Sequence, residues 1–346
     1  MTADKVLVTG ATGFLATHVL DVLLSKGYKV IGTARSEAKY ETLLKEYQSK
    51  YPQGSISFEI VKDMASVNAF DDVLKKHTDI KHVIHTATPV VFGLDKSPEE
   101  VYRAPAVEGT KNILSATKKY APQVEHFVIT SSQGVMLEFN KSIQPRINED
   151  YWSSLTWDQV GDNEMMGYCA SKKLAEEAAW EFMKTESPNF VITTITPPYI
   201  FGPQVFDSQV GKTLNASNQL VLGALSIDPT STDAQKDNSA LYVDVRDVAF
   251  AHVAPLSSTD MNNKRLLPVA GAFCNQSLLN VMNKIPSLKG KVAVGDLNYI
   301  DSEEYQNTKS TFDNSLTVKL LGNIQFKKLE KVVSDTIEQY SRVNKL

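Results

Sequence analysis

Cysteine is scarce: Cys169 and Cys274 are the only two in 346 residues, which excludes a disulfide framework or a cysteine-based metal site and fits a reducing compartment. No apolar run approaches the roughly 18–20 residues of a membrane-spanning helix. Neither sign of charge gathers into a block, and a net charge of -4 offers no evident surface for nucleic acid or an anionic membrane. The six histidines are scattered and none forms a His-x-x-x-His pair beside acids, so no metal is expected. The opening MTADKVLVTG runs into a strand-like segment within a few residues, leaving no room for a signal or transit peptide, and the cytoplasm is the expected location. What remains is the balance of a soluble globular protein, 42% apolar and 22% charged, long enough for one large domain or two modest ones.

Strand-like and helix-like segments alternate along the first half. KVLVTG, YKVIGTAR, ISFEIV, KHVIHTA, HFVITSS and FVITTITPP read as strands, separated by segments of helical period such as FLATHVLDVLLSKG and EAKYETLLKEYQSKY. Six strands alternating with helices predict an α/β fold, a doubly wound parallel sheet (Rossmann fold) covered by helices on both faces. Beyond Pro198 the pattern loosens, as expected of a second, smaller mixed α/β domain forming one wall of a cleft. The expected division is a dinucleotide-binding domain of residues 1–197 and 238–259, with 198–237 and 260–346 forming the smaller substrate-binding domain.

Between the first strand and first helix lies TGATGFLA, with Gly10, Gly13 and Ala16 at three-residue intervals. Glycine there leaves backbone N–H groups and the helix dipole open to a diphosphate, and the strand-before, helix-after context is the one the motif requires. The end of the second strand selects the nucleotide. An acid there would accept from the ribose of NAD, whereas GTARSEAK sets Arg35 in that place, followed by Ser36 and then Lys39, which favours the 2'-phosphate of NADP(H). After the third strand, Asp63 and Met64 are placed to touch the adenine, although Asp63 could equally cap the next helix.

Two of the 13 tyrosines have lysine at the fourth following position, Tyr168 with Lys172 and Tyr305 with Lys309, so the spacing alone proves nothing. Tyr305 lies in the acidic run DSEEYQNTKS and reads as surface. Tyr168 follows a strand that ends in Ser131 and Ser132, at the carboxyl end of the sheet where open α/β proteins bind ligands. Reduction of a carbonyl by a nicotinamide hydride needs a proton donor, and a phenol of ordinary pKa about 10 is too weak an acid near neutrality. Lys172 on the same helix face would favour the phenolate, and Ser132 would hydrogen-bond the substrate oxygen as charge develops. Cys169 beside them reads as buried rather than reactive.

TGATGFLA, ARSEAK, TSS, YCASK, PPYIFGP and YVDVRDVA occur in this order over nearly the whole chain. In this the sequence resembles the extended short-chain dehydrogenase/reductase superfamily, and within it the yeast NADPH-dependent methylglyoxal and carbonyl reductases related to dihydroflavonol reductase. The resemblance implies Ser132, Tyr168 and Lys172 as the catalytic residues. It implies Gly10, Ala11, Thr12, Gly13, Phe14, Leu15, Arg35, Lys39, Asp63, Met64, Pro197 and Ile200 as cofactor contacts. Relatives carry aromatics after the serine pair and after HTASP, where this chain reads TSSQGVM and HTATPVV. Val90, Gln133, Met136 and Tyr199 are therefore the expected pocket wall, less aromatic than usual. The expected activity is NADPH-dependent reduction of aldehydes and ketones to alcohols by a monomer or homodimer. The alternatives are another enzyme of the superfamily, a hydroxysteroid-type dehydrogenase or nucleotide-sugar epimerase, and a non-catalytic NADP-binding regulator. Arg35 argues against the epimerase, which usually keeps bound NAD and has little need of a phosphate clamp.

Overall fold

A computed structural model of the protein describes residues 4–88, 92–230 and 239–345. In chain order the first half runs β1 (Lys5–Thr9), α1 (Phe14–Ser25), β2 (Lys29–Ala34), α2 (Glu41–Lys50), β3 (Ser55–Ile60), α3 (Asp71–Lys76), β4 (Ile80–His85), α4 (Ala104–Tyr120), β5 (His126–Thr130), α5 (Glu164–Glu186) and β6 (Val191–Ile195). The second half runs β7 (Tyr199–Phe201), α6 (Ala216–Leu225), β8 (Ala240–Asp244), α7 (Val245–Val253), β9 (Lys264–Leu266), β10 (Gly271–Phe273), α8 (Asn275–Met282), α9 (Glu303–Thr308), α10 (Ser315–Leu320) and α11 (Leu329–Asn344). The chain divides into two compact units, the larger comprising Met1–Phe139, Trp152–Thr196 and Ala249–Leu266, the smaller Asn140–Tyr151, Pro197–Val248 and Leu267–Leu346.

In the larger unit seven parallel strands are ordered β3-β2-β1-β4-β5-β6-β9. The chain first winds outward from β1 to β3, then returns to β4 on the other side of β1, so strand order reverses between β1 and β4. In such sheets that crevice is where ligands bind. Leu7, Val83, Phe127 and Ile192 are fully buried, as strands covered on both faces require. On one side they pack with Phe70, Leu74, Ile113, Leu114 and Phe190.

The smaller unit has its own three-stranded sheet, ordered β10-β8-β7, with β8 parallel to β7 and antiparallel to β10. Its core joins Phe201, Tyr242 and Phe273 to Leu278, Leu279, Val332, Val333 and Ile337 from α8 and α11.

Three features differ from the sequence expectation. The large sheet has a seventh strand, β9, too short at three residues to show a period. Residues 239–248, 140–151 and Pro197, expected in the dinucleotide-binding domain, belong to the smaller unit, where Tyr242 pairs with both Tyr199 and Gly271, and 260–266, expected in the smaller domain, belong to the larger. Tyr305 is buried, 4% exposed, with its ring 5.6 Å from that of Tyr299 and its hydroxyl pKa pushed up to about 12 by burial. The acidic residues of α9 lie on its outer side and hide an inward-facing aromatic.

Phe127 lies on β5, an interior strand of the large sheet, fully buried and 5.4 Å from the Phe190 ring. Phe127→Ala is expected to cost about 3–5 kcal/mol, the usual range for emptying an aromatic site in a core. Urea denaturation of the two proteins measures it.

Candidate active site

The turn after β1 is shaped by backbone. Gly10 has φ +64°, and a Cβ there would lie 2.9 Å from Cα of Ala87, so both its conformation and its space exclude a side chain. The turn is fastened to β2 by Ala11 N–H donating to the Thr33 carbonyl (2.9 Å) and Gly10 N–H to Thr33 Oγ1 (3.2 Å). Helix α1 then starts at Gly13 with no side-chain cap and no acid in its first turn. Its positive end and leading N–H groups are therefore available to an anion.

Ala11 is buried, Thr12, Phe14 and Leu15 are half-buried and Gly13 is exposed. Arg35 and Lys39 are exposed just beyond β2, and among the described residues Arg35 forms no ion pair with neighbouring Glu37. Asp63 receives Ala65 N–H (3.0 Å) and the Ser66 hydroxyl (2.9 Å), so it also organises its own loop. The Met64 carbonyl accepts from the Asn112 amide (3.0 Å), and its side chain fills the space where Gly109 lacks a Cβ.

Helix α5 begins at Asn163, whose side chain caps Met166 N–H (3.0 Å), and turns Cys169, Lys172 and Glu176 inward. Lys172 is 4% exposed, and its ammonium donates to the Thr130 carbonyl (2.7 Å) and to Thr88 Oγ1 (3.1 Å), at the carboxyl ends of β5 and β4. Burial lowers its pKa to about 8, while the Glu176 carboxylate pushes it back up. His85 is fully buried and hydrogen-bonded to Thr9 Oγ1 (2.7 Å); burial and the Lys172 charge lower its pKa to about 3, so it is neutral. Cys169 is buried, with its thiol pKa raised to about 12, and carries no thiolate chemistry.

The two serines separate by environment. Ser131 donates to the buried carboxylate of Glu176 (2.5 Å), whereas Ser132 accepts from Gly134 N–H (3.0 Å), leaving its own O–H to donate elsewhere. The turn after Ser132 lies against α5 because Gly134 has no side chain: a Cβ there would fall 2.9 Å from Cys169 Sγ. Ser132 is thus brought beside the turn of helix that carries Tyr168.

The expected pocket residues fare differently. Val90 lies outside the described residues. Met136 is fully buried and has no surface to offer, while Gln133 is half-buried. Pro197, Tyr199 and Ile200 belong to the smaller unit; Pro197 is buried, and Tyr199 packs against Phe273 with ring centres 5.9 Å apart. The sequence reading overlooked Phe92, 37% exposed, whose ring centre is 6.0 Å from that of Tyr168 and 5.8 Å from that of Tyr102. Tyr102 is in turn 6.3 Å from Tyr168, so the tyrosine does stand among aromatics. The signal lies in PVVF, two residues after Val90. Thr88, His85 and Glu176 were also overlooked; of these only Glu176, one helical turn beyond Lys172, had a readable spacing.

The depressed pKa of Lys172 has a definite consequence for stability. Its folded value, about 8, lies below the unfolded value near 10.5, so the folded state bears a cost below pH 8 that disappears as pH rises toward 10.5. Relative to Lys172→Met, the wild-type protein without ligand should gain up to roughly 3 kcal/mol between pH 7 and pH 10.5. Denaturant titrations of both proteins across that window test it, and a constant difference would contradict the burial argument.

Residues 6–267 match the NAD dependent epimerase/dehydratase family. The chain is 38% identical over 342 residues to the putative NADPH-dependent methylglyoxal reductase GRP2 of Candida albicans, covering 97% of this chain and 98% of that protein. It is equally similar, at 38% over 342 residues and 97% of each, to the NADPH-dependent methylglyoxal reductase GRE2 of Saccharomyces cerevisiae. The crystal structure of yeast methylglyoxal/isovaleraldehyde reductase Gre2 complexed with NADPH superposes with a TM-score of 0.91 over 99% of both chains, at 37% identity. With the family matched over most of its length, the chain belongs to the NAD dependent epimerase/dehydratase family.

Proposed function

We propose that the protein is an NADPH-dependent carbonyl reductase that converts aldehydes and ketones, among them methylglyoxal-like dicarbonyls and prochiral ketones, to alcohols. The observation that carries the reading is the buried Lys172 ammonium, one helical turn from Tyr168 and anchored at the carboxyl ends of β4 and β5. Two relatives named as NADPH-dependent methylglyoxal reductases, similar over almost their whole length, support the same reaction.

The residues present fit the cofactor. The uncapped start of α1 and the side-chain-free turn at Gly10 suit a diphosphate, and the exposed Arg35 and Lys39 suit a 2'-phosphate. Ala11, Thr12, Gly13, Phe14 and Leu15 would line that turn, with Asp63 and Met64 toward the adenine; the family resemblance adds Pro197 and Ile200 as cofactor contacts. When bound, NADPH supplies the hydride. Tyr168 gives its phenolic proton to the carbonyl oxygen. Lys172 lowers the cost of the phenolate left behind, since an adjacent positive charge favours the ionised form. Ser132, whose oxygen already accepts from Gly134 N–H, donates its O–H to the same carbonyl oxygen. Phe92 and Gln133 would meet the substrate, Phe92 giving the aromatic surface beside Tyr168; the family resemblance adds Tyr199. In reverse the same groups oxidise an alcohol with NADP, an alcohol dehydrogenase activity. That the chain has only two cysteines, both buried, supports a reducing compartment, the cytoplasm, with the protein acting as a monomer or homodimer.

Tyr168→Phe should lower NADPH oxidation with a panel of aldehydes, ketones and diketones by about 10²–10⁴-fold, the usual worth of a positioned proton donor. Its NADPH affinity, followed by nicotinamide fluorescence, should stay near wild type. Arg35→Ser should raise the KM for NADPH about tenfold or more and leave that for NADH nearly unchanged, because only the charge-assisted contact to the 2'-phosphate is lost. Equal loss with both cofactors would remove Arg35 from the phosphate site.

A further inference from the structure

Tyr168, Lys172 and Glu176 recur every fourth residue of α5, so the face that carries the proton donor and its lysine continues into a carboxylate. Glu176 is 1% exposed and lies at the centre of a dense set of donors. Its Oε2 accepts from Ser131 Oγ (2.5 Å), while Oε1 accepts from Thr194 Oγ1 (2.8 Å), Arg265 Nε (2.8 Å) and Trp180 Nε1 (3.2 Å). Arg265, on β9, is itself buried, with its guanidinium carbon 3.7 Å from the centre of the Trp152 ring. Burying a carboxylate and a guanidinium together has a large desolvation cost, and hydrophobic residues of the same volume would often serve stability as well or better. An ion pair here therefore calls for a reason beyond packing, and its position suggests one. Glu176 stands one turn from the catalytic ammonium and bonds the serine that precedes Ser132.

We infer that Glu176 is a positioning residue for the reduction: its carboxylate holds Lys172 as an ammonium and fixes the strand end that presents Ser132, while Arg265 limits how much negative charge Lys172 experiences. The inference rests on the proposed reductase reading for its function, though not for its electrostatics. The groups facing Lys172 set the direction of the effect. Along α5 they are Tyr168 and Glu176; from β4 comes neutral His85, whose own pKa is lowered by the Lys172 charge. On the β5 side, the Thr130 hydroxyl that neighbours the Lys172 acceptor is hydrogen-bonded to His252 (2.7 Å), and from β9 Arg265 acts through Glu176. Tyr102 approaches through Tyr168. Among these groups Glu176 is the carboxylate that opposes the effect of burial on Lys172.

The test uses opposite charge changes at one site. Lysine labelled with ¹³C at Cε is titrated in the ligand-free protein, the Lys172 signal being assigned by its loss in Lys172→Arg. Glu176→Gln should move the Lys172 midpoint down by about one pH unit, and Arg265→Met should move it up by a similar amount, as expected for a charge about one helical turn away. The alkaline limb of the kcat profile for NADPH oxidation should follow in the same two directions. A structural defect would not produce opposite shifts. Unmoved midpoints in folded variants, or shifts in the same direction, would overturn the inference; if Glu176→Gln fails to fold, the upward shift in Arg265→Met decides it alone. A wild-type protein that reduces no carbonyl would overturn the reductase reading, while the titration would still decide the role of Glu176.

Discussion

Burying the Lys172 ammonium is the constraint around which the larger unit is arranged. A lone buried charge is expensive enough that the group would lose its proton rather than remain charged. Here the proton is retained near neutrality because each partner is itself held in place. The Thr130 carbonyl is set by the pairing of β5 with β6. Thr88 follows a segment in which the Thr86 hydroxyl donates to the Thr9 carbonyl (2.5 Å) and Ala87 N–H to Thr9 Oγ1 (3.2 Å). Glu176 is fixed by Arg265 on β9. One side chain thus draws on strands from β1 to β9 for its charge state.

The same bonds tie the lysine to the turn expected to hold the cofactor. Ala87, adjacent to Thr88, is the residue that Gly10 approaches so closely that a Cβ would meet it at 2.9 Å. Thr9, next to Gly10, is the hydrogen-bond hub for Thr86, Ala87 and His85. The turn open to an anion and the lysine support are therefore one structure at the β1/β4 crevice. A side chain added at Gly10 would disturb both, which explains a need for glycine there beyond access for a phosphate.

How much of this was legible in the sequence depends on whether the signal was local. The six longer strands and their helices were readable because each carries its own period and punctuation, and TGATGFLA because its context lies within a dozen residues. Strand β9 was not, since three residues beginning with a lysine become a strand only through β6 beside them. Nor was the excursion of residues 140–151 into the smaller unit, where the Glu149 carboxylate receives Thr317 N–H (2.9 Å) and the Thr317 hydroxyl (2.6 Å) across a separation that no local pattern encodes. In the site, Tyr168 and Lys172 were readable by spacing. Thr88 and His85 were not, because their part depends on sheet order, and Phe92 was missed because an aromatic in an irregular segment has no fixed register to search.

The second Tyr-x-x-x-Lys pair shows what spacing leaves undetermined. In Tyr305 and Lys309 the tyrosine is buried and the lysine half-exposed, bonded to Gln306 beside it on the surface. Burial without a fixed cation raises the phenol pKa to about 12, which makes it a worse acid than free tyrosine. In Tyr168 and Lys172 the arrangement is reversed: the lysine is buried and the tyrosine half-exposed, so the cation is fixed in a low-dielectric setting while the phenol can still meet a substrate. Four residues of helix place two side chains on one face in either case. Which of the two is buried decides whether the pair offers an accessible phenol near a fixed cation or a buried phenol near a surface lysine, and that is settled by what α5 and α9 each pack against.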